Sequence, residues 1–192
     1  MSEPRWKIDA TGSFVSFRAR TGLLSEITGS VPDWSADLAY DPSAPGTLSV
    51  EAVARLASLT TGDEDRDRQI RSPECLDAAR FPEVRVRSNS VELLGSTAMR
   101  VGCALTIGRV TRSTAFLVER YDVPLDMLGG HLARFTGHAS INRVDWGMAW
   151  RSLPVSTGTF VGERVTLAFE IAAFRAPGAA SGQSAWGGDH GG

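Results

Sequence analysis

The sequence predicts an all-β fold, a closed antiparallel barrel of about eight strands with one short helical insert. Three observations point to it. Apolar and polar residues alternate with a period of two through most of the chain, and the connections between those runs are short. One stretch, Thr60 to Val86, breaks the alternation with a dense charged turn and a helical pattern, and so reads as an insert between strands. A sheet with an apolar face along every strand gains by closing on itself, because closure removes the unpaired edges that invite aggregation.

The first run opens at Trp6 to Ile8, is interrupted around Thr11-Gly12 and resumes from Ser13, where Val15, Phe17 and Ala19 share one face and Ser16, Arg18 and Arg20 the other. Thr21-Gly22 marks a bend. The second run, Ile27 to Tyr40, contains Pro32, which confines it to a sheet edge or a bulge. After the turn D-P-S-A-P-G from Asp41, a third run places Val50, Ala52, Ala54 and Leu56 on one face. Beyond the insert, E-V-R-V-R from Glu83 alternates, and V-E-L-L-G from Val91 leads into a turn. Arg100 to Ile107 and Val110 to Tyr121 flank Gly108-Arg109 as a hairpin, with Phe116 and Val118 on one face. A Pro- and Gly-containing loop is expected over Val123 to Gly130. The run from His131 sets Leu132 and Arg134 against Ala133 and Phe135, and R-V-D-W-G-M ends it with a turn. In the last strand, Glu163 to Phe174, the residues Val165, Leu167, Phe169 and Ile171 point one way and Arg164, Thr166 and Glu170 the other.

Within the insert, Thr61-Gly62 ends the preceding strand, and Asp63, Glu64 and Asp65 put negative charge where the free N–H groups of a helix start favour it. Arg66, Arg68 and Arg71 follow within pairing distance, Pro73 breaks the helix, and a second short turn runs from Leu76 towards Pro82. Ile70 and Leu76, with Cys75 beside them, are the residues this insert can aim at an apolar interior. Asp63, Asp65, Asp67, Ile70 and Glu74 also occupy the first, third, fifth, eighth and twelfth places of a helix-loop-helix calcium loop. That match fails at Arg68, where the sharp turn needs glycine, and at Arg71, which adds positive charge. The salt-bridged helix start is the better account, and no metal site is expected.

A chain of 192 residues suffices for one well-buried domain, here taken as 1–175, followed by a Gly-, Ala- and Ser-rich tail over 176–192 with almost nothing to bury and therefore expected to be disordered. A net charge of −2, with arginines scattered singly, gives no reason to propose nucleic acid or an anionic membrane as partner. Cys75 and Cys103 have no metal-ligand spacing and sit in apolar surroundings, so inert buried thiols are favoured over a disulfide or a nucleophile. The first residues offer no apolar run for a secretory signal, and no stretch is long enough to span a bilayer; the expected location is the cytoplasm, without stable membrane insertion.

Several stretches together resemble the YceI-like family: W-K-I-D-A-T-G-S-F-V-S-F from Trp6, T-G-D-E-D-R-D from Thr61, R-S-P-E-C-L-D from Arg71, R-F-P-E-V from Arg80, A-L-T-I from Ala104, S-I-N-R-V-D-W-G-M from Ser140 and V-G-E-R-V-T-L from Val161. The resemblance spans roughly Trp6 to Arg175. Cys75 stands where the family commonly has an aromatic, and Trp146 where it has phenylalanine. The resemblance implies a lipocalin-like eight-stranded barrel that binds a long-chain amphiphilic lipid, of polyisoprenoid, isoprenoid quinone or fatty-acyl type, as a carrier or storage protein; it also makes a homodimer possible.

The expected ligand is therefore a hydrophobic small molecule, with no other cofactor. Its wall residues are expected among Phe17, Leu56, Ile70, Phe81, Leu105, Phe116, Phe135, Ile141, Trp146, Leu167 and Phe169. The pattern alone leaves open whether these line a hollow or pack a filled core, and the small residues Ala52, Ala54, Ala133 and Ala139 fit either. A filled barrel would act instead as an interaction or stress-response scaffold. Catalysis is not expected: His131, His138 and the insert carboxylates come without a nucleophile elbow, phosphate loop or zinc spacing.

Overall fold

The computed structural model describes residues 6–21, 25–125, 130–149 and 161–175. Nine strands, β1 (Lys7–Thr21), β2 (Ser25–Ser30), β3 (Trp34–Ala39), β4 (Ser49–Arg55), β5 (Glu83–Leu93), β6 (Ala98–Ile107), β7 (Val110–Leu125), β8 (Gly130–Asn142) and β9 (Val161–Arg175), form one curled antiparallel sheet. Its order is β2-β1-β9-β8-β7-β6-β5-β4-β3, and helix α1 (Glu64–Arg71) lies in the insert between β4 and β5. The fold is a lipocalin-like antiparallel barrel.

The ninth strand comes from the break at Pro32. The run expected over 27–40 is β2 and β3, which lie in one direction on either side of Val31-Pro32-Asp33. β2 pairs with β1, β3 pairs with β4, and the handover is visible in the hydrogen bonds: Val31 N–H still donates to Val15 of β1 at 3.1 Å, while the Asp33 carbonyl already accepts from Arg55 of β4 at 2.8 Å. Proline, with no N–H to give, occupies the one position that belongs to neither ladder. Reciprocal bonds of 2.8 and 2.9 Å between Ser30 and Thr60 tie the end of the edge strand β2 to the start of the insert beside it.

Other interruptions prove to be local irregularities of longer strands. In β1 the register shifts between Asp9 and Phe14, where the Asp9 carboxylate accepts from the N–H and hydroxyl of Thr11. β5 runs unbroken across Ser88–Ser90 by way of a bulge opposite Gly102 and Cys103. The expected loop over 123–130 is replaced at both ends by ladder: Val123, Pro124 and Leu125 pair with Leu132, His131 and Gly130. Pro124 is tolerated there because β6 begins at Ala98, opposite Glu119, so among the described residues the far end of β7 has a strand on one side only. The tail over 176–192 lies outside the described residues, and no described helix is long and apolar enough to cross a membrane.

The two ends of the barrel are covered differently. At one end Trp6 donates its indole N–H to the Tyr40 carbonyl at 2.7 Å, and the Tyr40 ring meets Trp6 at a tilt and Phe135 edge-to-face, 5.5 and 5.1 Å between centroids. Leu38, Leu48 and Met99 complete this plug. At the other end the insert folds over the strand ends and packs Leu56, Leu59 and Ile70 against Ala19 and Val161. Asp63 caps α1 by accepting from Arg66 N–H at 3.0 Å. Buried Asp67 ties the helix back to the strand end, accepting from the N–H of Thr61 at 2.7 Å and from its hydroxyl.

Burial alone would raise the Asp67 carboxyl, but the hydrogen bonds from Thr61 and Thr60 and the charge of Arg71 outweigh it and hold the group below its ordinary 3.8. A depressed value in the folded state stabilises the fold fully above the unfolded value, and that contribution is lost as pH falls through the folded one. Asp67→Asn is expected to cost about 1–3 kcal/mol at neutral pH. It should also flatten the acid limb of the stability profile, read from urea midpoints at a series of pH values.

Candidate ligand-binding cavity

Between the aromatic plug and the insert lies a cavity of about 280 Å³. Its wall is built from the inward faces of the strands, among them Val15, Phe17, Val50, Ala52, Val84, Val101, Leu105, Phe116, Phe135, Leu167, Phe169 and Ile171, and from Leu56, Ile70 and Leu76 of the insert. Among the described residues, Ser16 and Arg143 are the only lining residues that are not apolar.

Burial shows which side is hollow. The inward residues of β6, from Met99 through Leu105, are sealed, with Leu105 at 0 % exposure. On β9 and β1, Val165, Leu167, Phe169, Ile171 and Phe17 also point inward yet stay only half-buried. What they face is the cavity. The alanines divide in the same way: Ala52 and Ala54 line the hollow, whereas Ala133 and Ala139 are buried and do not line it.

Two cross-strand pairs keep the space open. Phe17 stands opposite Gly29, and Phe169 opposite Gly137. Each ring lies over its glycine so closely that a Cβ there would come within 2.4 Å of the ring's Cζ. The glycines therefore let two large rings lie against the wall instead of filling the interior, and Phe169 meets Phe116 with centroids 5.7 Å apart.

Nine of the eleven residues expected in the wall line the cavity; Phe81 and Trp146 do not. Phe81 lies outside, with the guanidinium groups of Arg80 and Arg109 at 5.3 and 5.8 Å from its ring centroid. Trp146 is buried behind the wall, donating its indole N–H to the Leu105 carbonyl at 3.1 Å and packing on Ile141. Its place follows from the 3₁₀ turn Arg143–Trp146, which Gly147 ends in a left-handed conformation, φ 79°. His138 is exposed on the outer face, between Leu117 and Ala168, away from the cavity.

Arg143 was not among the expected wall residues. It is 2 % exposed, and it donates through Nε to the Gly162 carbonyl at 3.0 Å, through Nη2 to the Val161 carbonyl at 2.9 Å, and through Nη1 to the Met148 carbonyl. Burial pushes its pKa down, countered by Glu163 and the Cys75 thiol nearby. Cys103 in the cavity wall is pushed up by burial from 9.0 to about 11, and Cys75 is also raised, chiefly by burial. The insert acids are engaged in structure, Asp63 as helix cap, Asp65 with Arg68 at 2.9 Å, and Asp67 on Thr61.

A curled antiparallel barrel with an apolar hollow defines the class, a lipocalin-like barrel. Comparison narrows it. Residues 6–173 match the model of the YceI-like domain, and the chain belongs to that family. It is 33% identical over 147 residues to a UPF0312 protein of Pseudomonas fluorescens, and 30% identical over 143 residues to one of Pseudomonas savastanoi pv. phaseolicola; both alignments cover 73% of this chain and 74% of the relative. Among solved structures it is similar to BcnA of Burkholderia cenocepacia, with a TM-score of 0.76 at 19% identity over 86% of this chain and 99% of the other. It is also similar to a polyisoprenoid binding domain from Saccharophagus degradans, with a TM-score of 0.61 at 16% identity over 91% and 99%.

Gly137→Ala is expected to swing the Phe169 ring into the hollow, costing about 1–3 kcal/mol by overpacking. Uptake of a fluorescent long-chain fatty acid should fall, and adding Phe169→Leu should restore it. Cys103, neutral and enclosed, should resist iodoacetamide at about pH 8 until the protein is unfolded, as followed by mass shift.

Proposed function

We propose that the protein binds a long-chain amphiphilic lipid, of polyisoprenoid, isoprenoid quinone or fatty-acyl type, in the barrel interior and acts as its carrier or store rather than as an enzyme. The observation that carries this reading is the cavity of about 280 Å³ whose wall, among the described residues, is apolar but for Ser16 and Arg143, held open by the paired Phe17–Gly29 and Phe169–Gly137. Binding to such a wall is driven by burial: each ~100 Å² of tail taken from water contributes about 2.5 kcal/mol. A long tail therefore needs no strong polar contact along its length. Nine residues, Phe17, Leu56, Ile70, Leu105, Phe116, Phe135, Ile141, Leu167 and Phe169, are the proposed contacts. The polyisoprenoid binding domain of Saccharophagus degradans, of similar fold, supports the ligand class.

The two free cysteines, Cys75 and Cys103, fit a reducing compartment, and the cytoplasm is the proposed location.

Native mass spectrometry of the protein purified from its own host, followed by organic extraction and lipid identification, tests the reading. A stoichiometric long-chain species is expected, lost in a folded Phe169→Glu variant. A protein that is repeatedly empty and takes up neither added isoprenoid nor added fatty acid would overturn it in favour of a barrel that serves as a scaffold.

A further inference from the structure

Resting on that reading, we infer that the ligand is bound with its tail in the cavity and its polar head in a slot of the barrel wall between β1 and β3, where the unpaired backbone of Trp34, Ala36 and Leu38 supplies the head's hydrogen bonds. The slot follows from the change of partners at Pro32. Beyond it β3 pairs with β4, and among the described residues no ladder joins β3 to β1. The slot is tied at one end by Val31 N–H on the Val15 carbonyl at 3.1 Å, and at the other by the Trp6 indole N–H on the Tyr40 carbonyl at 2.7 Å.

Between these ties β3 turns a polar edge to the gap. Successive residues of a strand send their N–H and C=O groups to opposite sides. The Asp33 carbonyl accepts from Arg55 of β4, while the N–H of Val50, opposite Leu38, is turned away to Ser88 of β5. The backbone groups of Trp34, Ala36 and Leu38 therefore face away from β4, into the slot. β1 does not answer them, because its register shift between Asp9 and Phe14 is satisfied within itself and by β9. There Ser13 Oγ donates to the Asp9 carbonyl at 2.6 Å and accepts from Ala172 N–H at 2.9 Å, and the Asp9 carboxylate holds Thr11. The cavity begins directly behind this polar rim: Trp34, Ala36 and Leu38 line it, with Ile8 and Val15 across the slot.

That juxtaposition suits an amphiphile. A head drawn into the cavity would leave water for an apolar wall, and Arg143 is already engaged, by the carbonyls of Gly162, Val161 and Met148 among others. In the slot the same head meets unpaired donors and stays beside solvent, since Ser35 and Asp37 on the outer face of β3 are exposed. It has to accept a hydrogen bond, as a carboxylate, carbonyl or phosphate ester does, and its bulk is not limited by the cavity.

Two measurements on the delipidated full-length protein test this placement. Palmitic acid and palmitoyl-coenzyme A share one tail, and the second carries a head too large for a cavity of about 280 Å³. Titrated at about 0.15 M salt, they are expected to bind within about tenfold of each other. The second measurement locates the head: 2-bromohexadecanoic acid, brominated beside its carboxylate, should quench the fluorescence that Trp34→Phe removes more strongly than 16-bromohexadecanoic acid does. Exclusion of palmitoyl-coenzyme A by a protein that binds palmitic acid would place the head inside and overturn the slot. Equal quenching by the two bromo acids, or stronger quenching by the 16-bromo acid, would overturn it too and leave lipid binding standing. Failure of every one of these ligands to bind would overturn lipid binding itself, and the slot with it.

Discussion

Everything in this molecule depends on closing a sheet that is apolar on one face all the way round. The first and last strands, β1 and β9, pair inside the sheet, and its two edges are β2 and β3. Closure is not made by pairing those edges. It is made by one run of chain that changes partners midway, leaving β1 at Val31 and joining β4 at Asp33, with Pro32 between the two ladders. The break costs little hydrogen bonding, since Val31 and Asp33 both stay bonded and proline has no N–H to lose. It also brings Ser30 against Thr60, so the start of the insert is tied to the seam of the barrel.

That tie explains how a short helix with a strongly charged sequence comes to cover an apolar end. α1 is too short to be stable alone. Its place is set by polar links to its neighbours: the Asp67 carboxylate on Thr61, Arg71 donating to the Ala57 carbonyl at 2.7 Å, and the Asp63 cap. Once held, it presents Ile70 to the interior, with Leu76 following from the next turn. Its Arg68–Asp65 pair is exposed and contributes little, so the charge density that dominates the sequence of the insert is not what holds it in place.

The strands and their inward faces, by contrast, were largely legible, because period-two alternation is a local property. Val15, Phe17 and Ala19, or Val165, Leu167, Phe169 and Ile171, announce a common face without reference to anything distant, and all seven line the cavity. What was not legible depends on register. That Gly29 faces Phe17 and Gly137 faces Phe169 is a cross-strand fact, and it decides whether the barrel is hollow or filled. Phe81 and Trp146 failed as wall residues for a related reason. Both follow turns, where alternation no longer fixes the side, and one ended beneath two arginines, the other behind Leu105. Arg143 gave no signal at all, since a single arginine in a polar turn sequence looks solvated, and only the folded chain shows it enclosed by β9 and Met148.

The hollow itself weighs on stability. In well-packed proteins an empty apolar cavity costs about 24 cal/mol per Å³. For about 280 Å³ that is on the order of 7 kcal/mol, comparable to the whole net stability of a typical domain, about 5–15 kcal/mol. Water offers little relief, because a wall of Val, Leu, Ile and Phe side chains gives it few of the hydrogen bonds it needs. Close packing could have removed this cost with larger residues in place of Ala52, Ala54, Gly29 and Gly137, yet these positions keep the side chains that preserve the space. A molecule that fills the barrel restores the missing contacts and stabilises the folded state by mass action as well. Filling and folding are thus linked, and the barrel is at its most stable when occupied.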